Sequence, residues 1–297
     1  MYFNSIIFAK LSKMTLKETE EYFAQEILMQ YDPNEANSIA KIALQFLLGL
    51  NNINYSLEYR TTVPQQAFAE INEYVKRLQL GEPIQYIIGE AHFMGFNFQV
   101  SPQVLIPRRE TEELVALIVQ ENMQKRALKV LDVCTGSGCI AIALKKLLKD
   151  AEISAIDISK EALAIARENA IKLKTKVKFY AIDILETQDL TLGHFDVIVS
   201  NPPYVTESEK KRMHANVIQH EPHLALFVED ANPLIFYNKI TALATANLLP
   251  NGRLYFEINE KFAKEVSDIL EFHNFSNIIA HNDMQGKARI ISGKMKN

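Results

Sequence analysis

Asn201-Pro202-Pro203-Tyr204 is the stretch whose residue types and spacing point most directly to chemistry. It follows Phe195-Asp196-Val197-Ile198-Val199, a β-branched run of the kind that forms a central parallel strand, and two successive prolines then forbid both helix and further ladder pairing. The chain must stop and turn at Asn201. In open α/β sheets ligands bind just outside the carboxyl ends of the strands, so this rigid turn lies where a substrate arrives. A surface turn closing a strand is the bland alternative for an Asn-Pro pair. The longer context argues against it.

Upstream, Val130-Leu131-Asp132-Val133-Cys134-Thr135-Gly136-Ser137-Gly138-Cys139-Ile140-Ala141 reads as a strand, a glycine turn and a helix start. Glycines let backbone approach a ligand closely, and a helix N-terminus presents unpaired N–H groups. Asp157 ends the next strand, where an acidic side chain takes ribose hydroxyls. The third glycine of the dinucleotide fingerprint is missing, with Ile140 and Ala141 in that region, which favours an adenosine ligand without phosphates. S-adenosylmethionine is such a ligand. The expected binding set is Asp132 for its ammonium group, the turn Cys134, Thr135, Gly136, Ser137 and Gly138, Asp157 for the ribose, Asp183 with Ile184 for the adenine, and Asn201 beside the reacting end.

The order of these motifs resembles the class I methyltransferases that modify planar nitrogen, which share an Asn- or Asp-Pro-Pro-Tyr tetrapeptide. An amide or exocyclic amine nitrogen is a poor nucleophile because its lone pair is delocalised. Holding its two N–H groups in a geometry that frees the lone pair corrects this. The Asn201 side-chain oxygen and the Pro202 carbonyl can accept those hydrogens, Pro203 stiffens the turn and Tyr204 can pack on the planar group. Asn201, Pro202 and Tyr204 are thus the expected catalytic residues, and Asn201 to Tyr204 the expected substrate contacts. Orientation against an already electrophilic methyl then supplies most of the acceleration, with no metal required.

Further stretches resemble one family, the protein-(glutamine-N5) methyltransferases that modify peptide chain release factors. They are Pro83-Ile84-Gln85-Tyr86-Ile87-Ile88-Gly89, Phe93-Met94-Gly95, Val104-Leu105-Ile106-Pro107-Arg108-Arg109-Glu110-Thr111-Glu112, Glu221-Pro222, Glu257-Ile258-Asn259, and Asp283-Met284-Gln285-Gly286-Lys287-Ala288-Arg289. The resemblance implies a seven-stranded Rossmann-like α/β methyltransferase domain behind a helical N-terminal domain, S-adenosylmethionine as cofactor, and as substrate the glutamine of the Gly-Gly-Gln tip of the class I release factors. Three departures stand out. Cys134 replaces a usual glycine, tolerable if that position is extended; Arg109 replaces a usual proline; and Val228 to Leu234 lacks the glycines common before the next helix.

The elements that must position these residues follow from periodicity. Residues 1–80 are expected to form a helical bundle of four helices for release-factor docking, broken at Asp32-Pro33-Asn34, Gly49 to Asn54 and Val63-Pro64, with Ile39, Ile42, Ala43, Phe46, Leu47 and Leu50 repeating at helical spacing and a loose arm over the first dozen residues. Residues 81–107 read as a β-hairpin linker whose Phe93, Phe96 and Phe98 form its core. Residues 108–297 form the methyltransferase domain. There, Thr111 is expected to cap a helix over 112–120, with Glu110 and Glu112 as charges at its start. Strands at 129–134, 152–157, 177–183, 195–200 and 253–258 alternate with helices, including 232–249 and 261–272, and antiparallel strands near 278–280 and 289–292 close the sheet.

Composition narrows the alternatives. A net charge of -4 and 48% hydrophobic residues describe a globular chain without the basic surplus of a nucleic-acid binder, which disfavours adenine-N6 methylation of DNA or RNA. The lysines at 145, 146 and 149 and at 172, 174, 176 and 178 read as solvated faces. Lacking a long apolar run or a leader-like start, the chain is expected to be cytoplasmic, and it is expected to act as a monomer. Cys134 and Cys139 are expected to be reduced thiols, and His220-Glu221-Pro222-His223 not to bind metal, because the proline prevents one helix face from carrying both histidines. An intact tetrapeptide argues against a non-catalytic cofactor-binding module.

Overall fold

The computed structural model describes residues 14–296, so the expected arm over the first dozen residues lies outside the described residues. The chain forms two compact units, one running to Gly89 and including His214–His220, the other containing Glu90–Met213 and Glu221 onward.

The helical unit contains Leu16–Ile27, Pro33–Leu48, Asn52–Leu57, Ala67–Gln79 and a short fifth helix, Ile84–Ile88. Local chemistry sets the starts. Thr15 and Glu18 form a reciprocal capping box, and Asp32 accepts from the Asn34 and Glu35 amides with Pro33 at the first helical position. The fifth helix stands where the sequence suggests only linker. The inner face of 33–48 is Ala36, Ile39, Ala40, Ala43 and Leu44, whereas Ile42 and Phe46, expected among the apolar repeats, are exposed. Small residues at 36, 40 and 43 let neighbouring helices approach, so Phe23, Ile27, Phe68, Ile71 and Leu78 fill the core, each fully buried side chain contributing about 1.5–3 kcal/mol. His214–His220 joins this unit through a hydrogen bond from Asn216 Nδ2 to Tyr31 Oη (3.2 Å) and a contact of His220 Nε2 with the Leu80 carbonyl (3.4 Å).

The larger unit opens with an antiparallel hairpin, β1 (Glu90–Phe93) and β2 (Phe96–Gln99), joined at Met94-Gly95, both with positive φ. That two-residue turn matches strand twist. Phe93 and Phe98 are fully buried and meet edge to face at 5.9 Å. Helix Arg109–Asn122 follows. The seven-stranded sheet then contains β3 (Lys129–Val133), β4 (Glu152–Asp157), β5 (Val177–Ala181), β6 (Phe195–Ser200), β9 (Leu248–Glu257), β10 (Phe275–Asn282) and β11 (Ala288–Met295), in the order β10-β11-β9-β6-β3-β4-β5. The strands from β5 to β9 are parallel, while β11 pairs antiparallel with both neighbours. Between β6 and β3 the direction of winding reverses, and the crevice there opens at the carboxyl ends of both strands. Val130, Val197 and Val199 pack on one face, Leu131, Val133 and Ile198 on the other, which is why these strands read as continuous apolar runs.

Three expectations change. Thr111 does not cap its helix: it lies inside Arg109–Asn122, buried, and its hydroxyl is turned to another strand. Cys134 is not extended; its φ is 62°, a left-handed conformation that costs a side-chain-bearing residue about 1–2 kcal/mol and explains a glycine preference there. The segment 232–249 is divided, with helix only over Ile235–Asn247 and β9 beginning at Leu248. The other departures are accommodated. Arg109 occupies the first helical position, where proline is favoured but nothing requires it. Among residues 228–234 none takes a positive φ, so glycine is not needed, and the short parallel pair β7 (Val205–Thr206) and β8 (Phe227–Val228) anchors the loop. No helix of the described residues is long and apolar enough to cross a membrane.

Candidate active site

A cavity of about 330 Å³ lies within the larger unit at the carboxyl ends of β3, β4 and β6. Its lining brings together Cys134, Thr135, Gly136, Ser137, Asp157, Asp183, Ile184, Asn201 and Pro203 from the expected set. A smaller cavity, about 50 Å³, is lined by Pro202, Tyr204 and Glu257 and shares Leu105, Arg108, Asn201 and Ala225 with the larger one. Among the described residues, Asn201 is thus the asparagine that lines both spaces. Asp132 and Gly138 line neither.

The turn after β3 is held by its own acids. Asp132 Oδ2 accepts from Thr135 Oγ1 (2.6 Å) and from the Ala141 amide (3.2 Å), tying the loop to the start of helix Cys139–Leu147. Its Oδ1 is buried with no partner, and burial, outweighing those two bonds, pushes the carboxyl up to about 7. Asp157 Oδ2 accepts from the Gly136 amide (2.8 Å) and Oδ1 from Ser159 (2.9 Å), and burial raises this carboxyl against the bonds that favour its charge. Gly136 has φ 54°, and a Cβ placed on it would meet nothing within 4 Å. A side chain there would fill space on the cavity wall. Both cysteines are free thiols, and burial pushes Cys134 well up and Cys139 up to about 12, so neither is a thiolate nucleophile.

The residues present fit S-adenosylmethionine. The open backbone at Gly136, the acids Asp157 and Asp183, and apolar walls from Ile158, Leu185 and Phe236 suit a nucleoside. The orphaned Asp132 Oδ1 beneath the turn suits a nearby positive charge.

The tetrapeptide is tied to two elements distant in sequence. Ser200 Oγ donates to the Val133 carbonyl (2.7 Å), locking the end of β6 to β3. Asn201 Nδ2 donates to Thr111 Oγ1 (3.2 Å), Thr111 Oγ1 donates to Glu257 Oε2 (2.6 Å), and Tyr204 Oη donates to Glu257 Oε1 (3.2 Å). Tyr204 is therefore anchored by its hydroxyl at the wall of the smaller cavity. Burial raises the Glu257 carboxyl, while the Thr111 and Tyr204 bonds and the Arg289 guanidinium draw it back. Arg108 pairs with Glu221, whose other oxygen accepts from the Ile106 amide (3.3 Å), so the linker end and the loop after the tetrapeptide close one wall together. His223 meets Phe227 edge to face at 5.1 Å, and among the described residues no cluster is placed to hold a metal.

From the sequence Glu257 stands only within the Glu257-Ile258-Asn259 stretch, and Thr111 is expected only as a helix cap. The signal for Glu257 was its place at the carboxyl end of β9, beside β6, where the parallel sheet collects ligand-facing residues.

The family described as "Methyltransferase small domain" matches residues 112–226, and "PrmC N-terminal domain" matches residues 23–89. A "Release factor glutamine methyltransferase" from Flavobacterium psychrophilum is 44% identical over 281 residues, covering 94% of this chain and 98% of the relative. One of the same name from Bacteroides thetaiotaomicron is 44% identical over 271 residues, 91% of this chain and 97% of that one. A crystal structure of a methyltransferase from Pyrococcus furiosus shares the fold, with a TM-score of 0.50 and 17% identity over 68% of this chain and 90% of that one. With relatives this similar along almost its whole length, the chain belongs to the release factor glutamine methyltransferase family.

Proposed function

We propose that this chain, an S-adenosylmethionine-dependent methyltransferase of release factor glutamine, acts on the side-chain amide nitrogen (N5) of the Gly-Gly-Gln motif, with Asn201 as its central residue. The observation that carries the reading is the position of Asn201 on both cavities: one wall faces a nucleoside-sized space, the other a slot small enough for a single side chain. Asn201 Oδ1 and the Pro202 carbonyl accept the two N–H groups of the amide, and Pro203 keeps that carbonyl aimed. Tyr204 walls the slot. S-adenosylmethionine, when bound, supplies a methyl group activated by its sulfonium charge. Asp157 takes the ribose hydroxyls and Asp183 with Ile184 the adenine, while Cys134 to Gly138 bring backbone to the ligand and Asp132 sets negative charge behind them for the ammonium group. Placement of nitrogen against carbon then carries the rate.

For the chain as a whole we propose docking of the release factor by the helical residues 1–80, a hairpin linker over 81–107 and transfer by 108–297. A cytoplasmic monomer without direct nucleic-acid contact fits the charge of -4. The test is incubation of the full chain with purified release factor and methyl-labelled S-adenosylmethionine, followed by peptide mapping. Label on the glutamine of the Gly-Gly-Gln peptide is expected; label elsewhere, or on nucleic acid alone, overturns the reading.

A further inference from the structure

The two ends of an asparagine side-chain amide have nearly the same size and shape but opposite hydrogen-bonding roles, so packing alone cannot decide which end faces a ligand. At Asn201 the choice determines function, since an NH2 group turned toward a substrate NH2 group would oppose donor to donor. The surroundings of Asn201 contain a device that makes the choice. Glu257 is 1% exposed, and as a carboxylate it can only accept. It takes the hydroxyl hydrogen of Thr111 at 2.6 Å. Thr111 has one hydroxyl hydrogen and has committed it, so toward Asn201 it offers only a lone pair, which Nδ2 fills at 3.2 Å. Oδ1 is left pointing away from Thr111. The second oxygen of Glu257 holds Tyr204 Oη at 3.2 Å, so one carboxylate fixes both ends of the tetrapeptide. Arg289 and Glu110 are the other charged groups that act on Glu257, and Arg289 is engaged by Asp283 at 3.3 Å.

We propose that Thr111 and Glu257 are positioning residues that set the polarity of the Asn201 amide, presenting its oxygen to the substrate nitrogen. This rests on the reading that Asn201 accepts from the glutamine amide. Glu257 lines the smaller cavity, and its influence on Asn201 passes through the Thr111 hydroxyl.

The test uses the full chain, purified release factor and S-adenosylmethionine, with three variants. Thr111→Ser keeps the hydroxyl, Thr111→Val keeps the shape and removes it, and Glu257→Gln places a donor where only acceptors stood. Turnover by the parent comes first, since a parent that leaves the release factor unlabelled refutes the underlying reading and not the polarity device. Given turnover, Thr111→Val and Glu257→Gln are expected to lower kcat on the order of 10²-fold with KM for the release factor and Kd for S-adenosylmethionine retained, and Thr111→Ser to stay near the parent. Proton exchange at the Asn201 side-chain amide, followed by NMR without cofactor, should be slow in the parent and Thr111→Ser and fast in Thr111→Val. Equal loss in the Ser and Val variants, or a loss that appears in KM and Kd, marks a packing role and overturns the proposal, as does parental kcat in Thr111→Val. Should Glu257→Gln fail to fold, the Ser and Val pair decides alone.

Discussion

Thr111 Oγ1 and Glu257 Oε2 lie 2.6 Å apart across 146 residues of chain, joining the first turn of a helix to the last residue of β9. The same Thr111 oxygen accepts from Asn201 Nδ2 at 3.2 Å. Replacing the Asn201 side chain removes an acceptor at the boundary of the two cavities and leaves the other residues of the larger cavity's lining in place. Asn201→Ala is expected to lower kcat by roughly 10²–10³-fold, the range for loss of one positioned polar group at a reacting centre. Cofactor Kd measured by calorimetry should be largely retained, changing far less than kcat; a variant with parental turnover refutes the role given to Asn201.

Asp157 serves the opposite function, holding the Gly136 amide at 2.8 Å and the Ser159 amide at 2.9 Å on the wall of the larger cavity. Asp157→Ala leaves two N–H groups without their acceptor and removes the proposed ribose contact. Bonds to charged groups contribute about 1.5–3 kcal/mol, so affinity for S-adenosylmethionine should fall about 10- to 100-fold. The direct measurement is Kd, and an unaltered value would remove Asp157 from the binding set.

Asp132 gives a pH signature in the ligand-free protein. Its carboxyl is held up to about 7, chiefly by burial. An unfolded chain releases the same proton near pH 4. Between those values the folded state binds more protons than the unfolded, so stability from this group is greatest in acid, falls as pH rises toward 7 and is flat above. Asp132→Asn keeps the acceptor for Thr135 and Ala141 and places an amide where Oδ1 has no partner. The Tm of this variant relative to the parent should therefore rise from pH 5 to pH 8; a relative fall over that interval contradicts the assignment.

Cys134 tests the glycine turn. At φ 62° a β-branched side chain is strained, whereas glycine is not. Cys134→Val should lose about 1–2 kcal/mol in chemical denaturation, and Cys134→Gly should stay within about 1 kcal/mol of the parent. Equal stability of the two variants would mean that the turn relaxes.

What could be read from the chain depended on the range of the physics involved. The parallel strands announced themselves because Val197, Ile198 and Val199 are buried on both faces, and the tetrapeptide because two prolines leave few conformations. Helix 33–48 was legible as a helix, but its inner face was not: Ile42 and Phe46 carry the larger apolar side chains and yet lie outside, since Ala36, Ala40 and Ala43 allow closer approach. Thr111 looked like a cap because Thr before acidic residues usually is one, and only a carboxylate delivered from β9 makes a better partner. Cys134 hid its left-handed backbone because a side chain there argues for an extended one. For Thr111 and for the inner face of helix 33–48 the missing information was a contact made by residues far along the chain.

The chain passes between its two units at Gly89, again at Met213 and again at His220, and His214–His220 belongs to the helical unit through Tyr31 and Leu80. The amino-terminal part is therefore no detachable cassette. A shortened chain beginning at Glu90 would strand His214–His220 without its partners, directly before Glu221 and the cavity-lining Pro222. Recombination that exchanges amino-terminal units among relatives must carry His214–His220 along, which makes this segment the place where covariation with residues near Tyr31 and Leu80 should concentrate.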